Sequence, residues 1–216
     1  MPRKHVLISG TGRCGTTFLV ELLTHLGLDT GYRIGELESQ KDQKARAGLE
    51  HDVRNENAPY VVKSPLFCDH ADEVLGRDDI VIEHVFIPMR QLEAAAESRR
   101  RVVKSHRAGL PLHTRVMTAF KRPPRLAGGL WHTRSSKAGK QEEVLLLQLY
   151  RLLLALSDSN IPVTLMQYPR IVTDSQYLFD KLRPILADVA YEKFESVFKK
   201  TARPDLVSRF AGEDKT

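Results

Sequence analysis

The sequence predicts an α/β protein, a three-layer α/β/α fold around a central, mainly parallel sheet. Three observations lead there. Short apolar runs alternate with amphipathic stretches along the chain. The first run passes through a glycine-rich turn straight into a helical pattern. The length, 216 residues with 42% hydrophobic and 28% charged side chains, suits one sizeable core and is short for two. Strands that alternate with helices pair in parallel and need both sheet faces covered. A single domain is expected over residues 1–198, followed by a polar, fraying tail over 199–216.

The elements follow in order. "HVLIS" (5 to 9) is a short apolar run that fits a buried strand. The start, "MPRKHVLISGTG", has too short an apolar segment and no cleavage-site pattern, so it reads as this first strand and not as a signal peptide. In "TTFLVELLTHLG" (16 to 27) the apolar residues Phe18, Leu19, Leu22, Leu23 and Leu26 share one helix face, and Gly27 stops the helix. "YVVK" (60 to 63) is a short strand ended by Ser64 and Pro65. "DIVIEHVFIPMR" (79 to 90) is strand-like, and "QLEAAAESRRRVV" (91 to 103) favours helix. Residues 106–136 carry prolines and glycines, and "PRLAGGLWHTR" within them looks like a loop. "QEEVLLLQLYRLLLALSD" (141 to 158) is apolar on nearly every side and predicts a buried helix. "IPVTLMQY" (161 to 168) is a last strand, and "DSQYLFDKLRPIL" (174 to 186) a helix with Asp174 as its N-cap. No apolar run approaches 20 residues, so no transmembrane segment is expected. Two cysteines, Cys14 and Cys68, make no disulfide framework and point to a reducing, cytoplasmic setting.

In a parallel sheet, ligands bind at the carboxyl ends of strands. Three features fall there: the loop after residue 9, Lys63, and Arg90. The loop "GTGRCGTT" (10 to 17) has the frame G-x-x-x-x-G-T-T. A nucleoside-triphosphatase P-loop reads G-x-x-x-x-G-K-[ST]. The glycine spacing and the helix N-terminus make an anion nest. Thr16 stands where the lysine would be, and the cation has moved back to Arg13. The strand ending "FIPMR" offers no aspartate, so a magnesium-triphosphate site is poorly supplied. The net charge of +6 is partly concentrated in "SRRRVVKSHR" (98 to 107). The plain reading of that cluster is a solvated helix face. As a binding feature it suits an anionic membrane or a multiply phosphorylated small ligand. With no RNA-binding signature and little aromatic interleaving, nucleic acid is the weaker choice.

"GTGRCGTTFL" resembles the 5′-phosphosulfate loop of sulfotransferases that use 3′-phosphoadenosine 5′-phosphosulfate (PAPS). That family has a basic residue two before the second glycine, then G-[ST]-T. Arg13, Gly15, Thr16 and Thr17 match, and the resemblance assigns the nucleotide to the loop from Gly12 to Thr17. Cys14 stands where the family more often has serine, and is expected to be a small filler. In this family the 3′-phosphate is bound by an arginine at a strand end and a serine eight residues on, which Arg90 and Ser98 match in "PMRQLEAAAESR". The closing strand, turn and helix are laid out as in sulfotransferases. Over most of the chain, the elements "GRCG", "KSP", "GGLW" and "YPR" resemble a compact bacterial group of sulfotransferase-like proteins.

The resemblance implies in-line sulfuryl transfer to a hydroxyl or amine of a carbohydrate, lipid or small metabolite, with PAPS as donor and no metal. Arg13 would meet the phosphosulfate and Lys63 the leaving group. A general base, usually histidine or glutamate in this family, is expected. Glu36, Glu50, His51 and His70 are candidates, with Glu50 and His51 slightly favoured because "AGLEHD" precedes the second strand. His5 and His84 lie within strand patterns and read as structural. Trp131 could stack on a ring of the ligand or simply pack. Two other readings stay open: a small-molecule P-loop kinase, and a non-catalytic nucleotide binder that kept the fold. The sequence is compatible with a homo-oligomer.

Overall fold

The computed structural model describes residues 1–42, 45, 47–108, 128–133 and 135–208. Its elements are β1 (Arg3–Ile8), α1 (Thr16–Leu26), β2 (Lys41–Asp42), β3 (Ala47–Gly48), β4 (Val61–Lys63), α2 (Ala71–Leu75), β5 (Ile80–Met89), α3 (Leu92–Ala108), α4 (Lys140–Asp158), β6 (Val163–Gln167), α5 (Ser175–Leu182) and α6 (Tyr191–Thr201). Four strands form a sheet in the order β4-β1-β5-β6, and each neighbouring pair is parallel. Helices cover both faces, giving the three-layer α/β/α architecture.

The two-residue period of the strands makes the layers. Val6 and Ile8 of β1 and Phe86 of β5 point to one face, where they pack with α1, α5 and α6. Leu7, Val85 and Ile87 point to the other and meet Leu152 and Leu156 of α4. Burying one such side chain contributes about 1.5–3 kcal/mol. α1 stops because Gly27 adopts φ 92, and its N–H returns to the last carbonyls of the helix. Asp174 caps α5 by accepting from the Tyr177 N–H at 2.9 Å.

β1 lies between β4 and β5, so the chain leaves it in one direction and later returns on the other side. That reversal opens a crevice above the carboxyl end of β1. The glycine-rich loop occupies it, with Lys63 from β4 and Arg90 after β5 on either side.

Two expectations need correction. α4 is not buried all round: Leu146, Leu147, Tyr150 and Leu154 are exposed, from 48% at Leu154 to 63% at Tyr150. The polar tail does not begin at residue 199. α6 runs on to Thr201, and a short 3₁₀ turn follows at Pro204–Leu206. The small antiparallel pair β2–β3 and the helices α2 and α6 were not foreseen. Within 106–136, residues 109–127 and 134 lie outside the described residues, and with them part of the loop expected at "PRLAGGLWHTR" (124 to 134). Among the described residues, no helix is long and apolar enough to cross a membrane.

Candidate functional site

The loop between β1 and α1 takes its shape from residues at positive φ: Gly10 (110°), Gly12 (65°), Arg13 (60°) and Gly15 (83°). Two of these glycines also make room. A Cβ on Gly12 would lie 2.7 Å from Arg99 Nη2, and one on Gly15 would lie 3.2 Å from the Tyr168 ring. Gly15 starts α1 without a side-chain cap. The first N–H groups of the helix are therefore left for an anion. Arg13 is the strained member, because a non-glycine residue in the left-handed region costs about 1–3 kcal/mol. Its hydrogen bonds hold it there. Arg13 Nε donates to Ser98 Oγ at 3.1 Å, Nη1 donates to Ala45 O at 2.6 Å, and Arg13 O accepts from Arg90 Nη1 at 3.3 Å.

Four cationic side chains converge on this loop. Lys63 is almost fully buried, 2% exposed. Its Nζ donates to Thr17 Oγ1 at 2.8 Å, to Glu50 Oε1 at 2.9 Å and to Gly48 O. Burial pushes its pKa below the ordinary lysine value, against the attraction of Glu50. Arg13 and Arg90 come from the loop and from the end of β5. Arg90 also donates to Ser208 O and lies 5.0 Å from the centre of the Tyr168 ring. Arg99, from α3, is 5% exposed. It donates to Thr11 O and, at 2.6 Å, to Gly129 O. No carboxylate pairs with it among the described residues, and its buried Nε has no partner. Burial, then repulsion from Arg13, push its pKa down to about 10. A buried guanidinium with only carbonyl partners is expensive unless an anion completes its surroundings.

The residues read from the sequence are distributed as follows. Gly12, Arg13, Gly15, Thr16, Thr17, Lys63, Arg90 and Ser98 line one open cleft of about 1680 Å³. Cys14 is fully buried beneath the loop and its thiol is pushed up to about 11 by burial, which suits a filler. Glu50 lines the cleft too, its Oε1 accepting from Lys63. His51 contributes to the cleft wall, but its Nε2 is buried without a partner, and a Cβ on Gly31 would lie 2.6 Å from it. Burial pushes its pKa down. Glu36 sits exposed on a 3₁₀ turn away from the cleft. His70 lies beside Arg54, its Nδ1 3.2 Å from Nη1. His5 and His84 are tied down within the sheet, to Pro59 O and to Thr164 Oγ1, each at 2.7 Å. Trp131 packs with Ala95, Ala96 and Leu145, under the Arg99 guanidinium at 5.1 Å.

Sequence reasoning missed Arg99, Tyr168 and a pair formed by Asp69 and His132. Arg99 was visible only as one of several basic residues, and nothing marked it as the one turned inward. Tyr168 belongs to the "YPR" element, which had been read for layout alone. His132 Nε2 lies 2.9 Å from Asp69 Oδ2, although 63 positions separate the two residues. Among the described residues no group of three or more His, Cys, Asp or Glu could hold a metal ion. No family model, curated protein or solved structure matches the chain.

Proposed function

We propose that the cleft binds a nucleotide charged at both its 5′ and 3′ ends, and that the protein is a PAPS-dependent sulfotransferase acting on a hydroxyl or amine. One observation carries this reading. The strands on either side of the loop end in cations, Lys63 on β4 and Arg90 after β5, where a magnesium-triphosphate site would need carboxylates. Sulfuryl transfer needs no metal in this arrangement, because fixed cations can stabilise the equatorial and bridging oxygens directly. In this reading Arg13, Lys63 and the α1 N-terminus hold the phosphosulfate. Arg90, Ser98 and Arg99 hold the far phosphate. The cleft, about 1680 Å³, exceeds the roughly 300–1,000 Å³ of one small-ligand site, which leaves room for an acceptor beside the donor.

A thermal-shift titration with adenosine 3′,5′-bisphosphate, AMP and Mg²⁺-ATP tests the reading. A ligand at about 100 times its dissociation constant adds about 2.7 kcal/mol of stability, a rise of several degrees for a chain of this size. The bisphosphate is expected to stabilise the protein and Mg²⁺-ATP to have little effect. Stabilisation by Mg²⁺-ATP alone would instead make Arg13 the replacement for a kinase lysine. Arg90→Ala is expected to weaken the bisphosphate by about 1.5–3 kcal/mol, the usual worth of a charge-assisted hydrogen bond, and to leave AMP nearly unchanged. Equal loss for both ligands would sink the 3′-phosphate assignment. Saturable bisphosphate binding without sulfuryl transfer to a broad acceptor panel would favour the non-catalytic binder.

A further inference from the structure

The segment after Gly128 is fixed against the loop by two arginines. A Cβ on Gly128 would lie 2.8 Å from Arg13 Nη1, and Arg99 bridges Gly129 O and Thr11 O. His132 follows four residues after Gly128, so its backbone lies within about 14 Å of that contact even in a fully extended chain. His132 and Asp69 both line the cleft. The Asp69 carboxylate is fixed from two directions: Oδ2 faces His132 Nε2, and Oδ1 accepts from Gln148 Nε2 of α4 at 3.1 Å. A carboxylate accepts, so Nε2 carries the ring proton and the lone pair is on Nδ1. Nδ1 has no hydrogen-bond partner among the described residues, and the side chain is 40% exposed. The backbone of His132 adopts φ 50. Gln141 fixes the preceding residue by bonding both the N–H and the carbonyl of Trp131, at 2.7 and 3.3 Å.

The other candidate bases that line the cleft each have an occupied or buried ring or carboxylate atom. Glu50 Oε1 is bound to Lys63, His51 Nε2 is buried against Gly31, and His70 lies on Arg54. We propose that His132, oriented by Asp69, takes the proton from the acceptor hydroxyl, an inference that rests on the donor reading above. The acceptor oxygen forms a bond to sulfur. The bond from sulfur to the 5′-phosphate oxygen breaks, and its electron pair leaves with adenosine 3′,5′-bisphosphate. The hydroxyl proton passes to Nδ1, and Asp69 stabilises the resulting imidazolium. Such a base matters most for an alcohol or water. It matters least for a phenol acidic enough to ionise unaided, so the acceptor class implied is an unactivated hydroxyl.

Two measurements test this. The first is the ¹⁵N NMR tautomer pattern of the His132 ring in the wild type and in Asp69→Ala. Beside the pair, Cys68 Sγ lies 3.9 Å from Asp69 Oδ1, and Arg99 of α3 lies over the ring of Trp131, which precedes His132. The Nε2–H tautomer is expected to dominate in the wild type and to lose that dominance when Asp69 is removed, and an unchanged tautomer pattern overturns the pairing. The second compares two reactions in His132→Gln. Donor hydrolysis, with water as acceptor, is expected to fall about 10²–10⁴-fold, the usual worth of a positioned base. Back transfer from 4-nitrophenyl sulfate to adenosine 3′,5′-bisphosphate, whose phenolate leaves without a proton, is expected to fall less than about tenfold. Equal losses in both reactions, or no loss in either, overturn the role of His132. Absence of both donor hydrolysis and back transfer in the wild type refutes the sulfotransferase reading, and the catalytic role with it. The NMR result then still reports whether the pair exists. Stabilisation of the variant by the bisphosphate shows that it is folded.

Discussion

Lys63 answers for the lysine that the glycine-rich loop lacks. It comes from the neighbouring strand and meets Thr17, one residue beyond the position the loop lysine would occupy. Its burial sets up two opposed pH dependences. The unfolded chain keeps the Lys63 proton up to the ordinary value of 10.5, while the folded protein releases it earlier. Between those points the unfolded state binds more protons, so the Lys63 contribution makes stability rise with pH. Anion affinity should fall across the same window as the charge is lost. In Lys63→Met both slopes are expected to flatten relative to the wild type, as checked by urea denaturation and bisphosphate titration from about pH 8 to pH 10. Flattening of neither would mean that Lys63 stays charged throughout. Lys63 and Arg90 were legible in the sequence because each sits where a strand meets a turn, and Arg13 because the glycine frame of the loop encloses it. Arg99 was not, because its inward direction depends on the space left by Gly12. The Asp69–His132 pair was illegible for another reason: only the packing of α4 beside the turn after Pro65 brings the two residues together.

At the scale of elements, the strands and the long helices were readable because their apolar spacing is regular. α4 shows the limit of that signal. With leucines on every side, its periodicity does not say which face is covered. The neighbours α2, α3 and the sheet decide it, and they leave Leu146, Leu147, Tyr150 and Leu154 outside. The two faces should respond differently to truncation. Leu152→Ala, at a fully buried site, is expected to cost about 2–5 kcal/mol. Leu154→Ala, two residues on, should stay within about 0.5 kcal/mol. Urea denaturation of both variants checks this, and a large loss at Leu154 would show that its face is covered in solution. The pair β2–β3 escaped notice because two-residue strands carry no period. Yet this pair and the turn within it deliver Ala45 O to Arg13 and Gly48 O to Lys63, so part of the site is built from backbone that no motif describes.

Over the whole molecule, the order β4-β1-β5-β6 follows from parallel strands that share one crevice. Alternating strands and helices made that architecture readable before any contact was known. What the alternation could not reveal is how much like charge the fold gathers in one place. Burial, then repulsion from Arg13, weakens the hold of Arg99 on its proton, and no carboxylate among the described residues answers Arg99. Folding therefore forces repelling groups together before any ligand arrives. A small dianion should relieve that repulsion whatever its identity. In about 50 mM phosphate or sulfate the melting temperature is expected to exceed that in chloride at equal ionic strength, by more than the general stabilisation that excluded anions give any protein. Arg99→Met should remove most of the difference, and an equal response in wild type and variant would place the anion elsewhere. The practical consequence is one of sample handling. A phosphate-buffered preparation would enter a ligand screen with its cleft already satisfied, and a true nucleotide ligand would then register as a weak competitor.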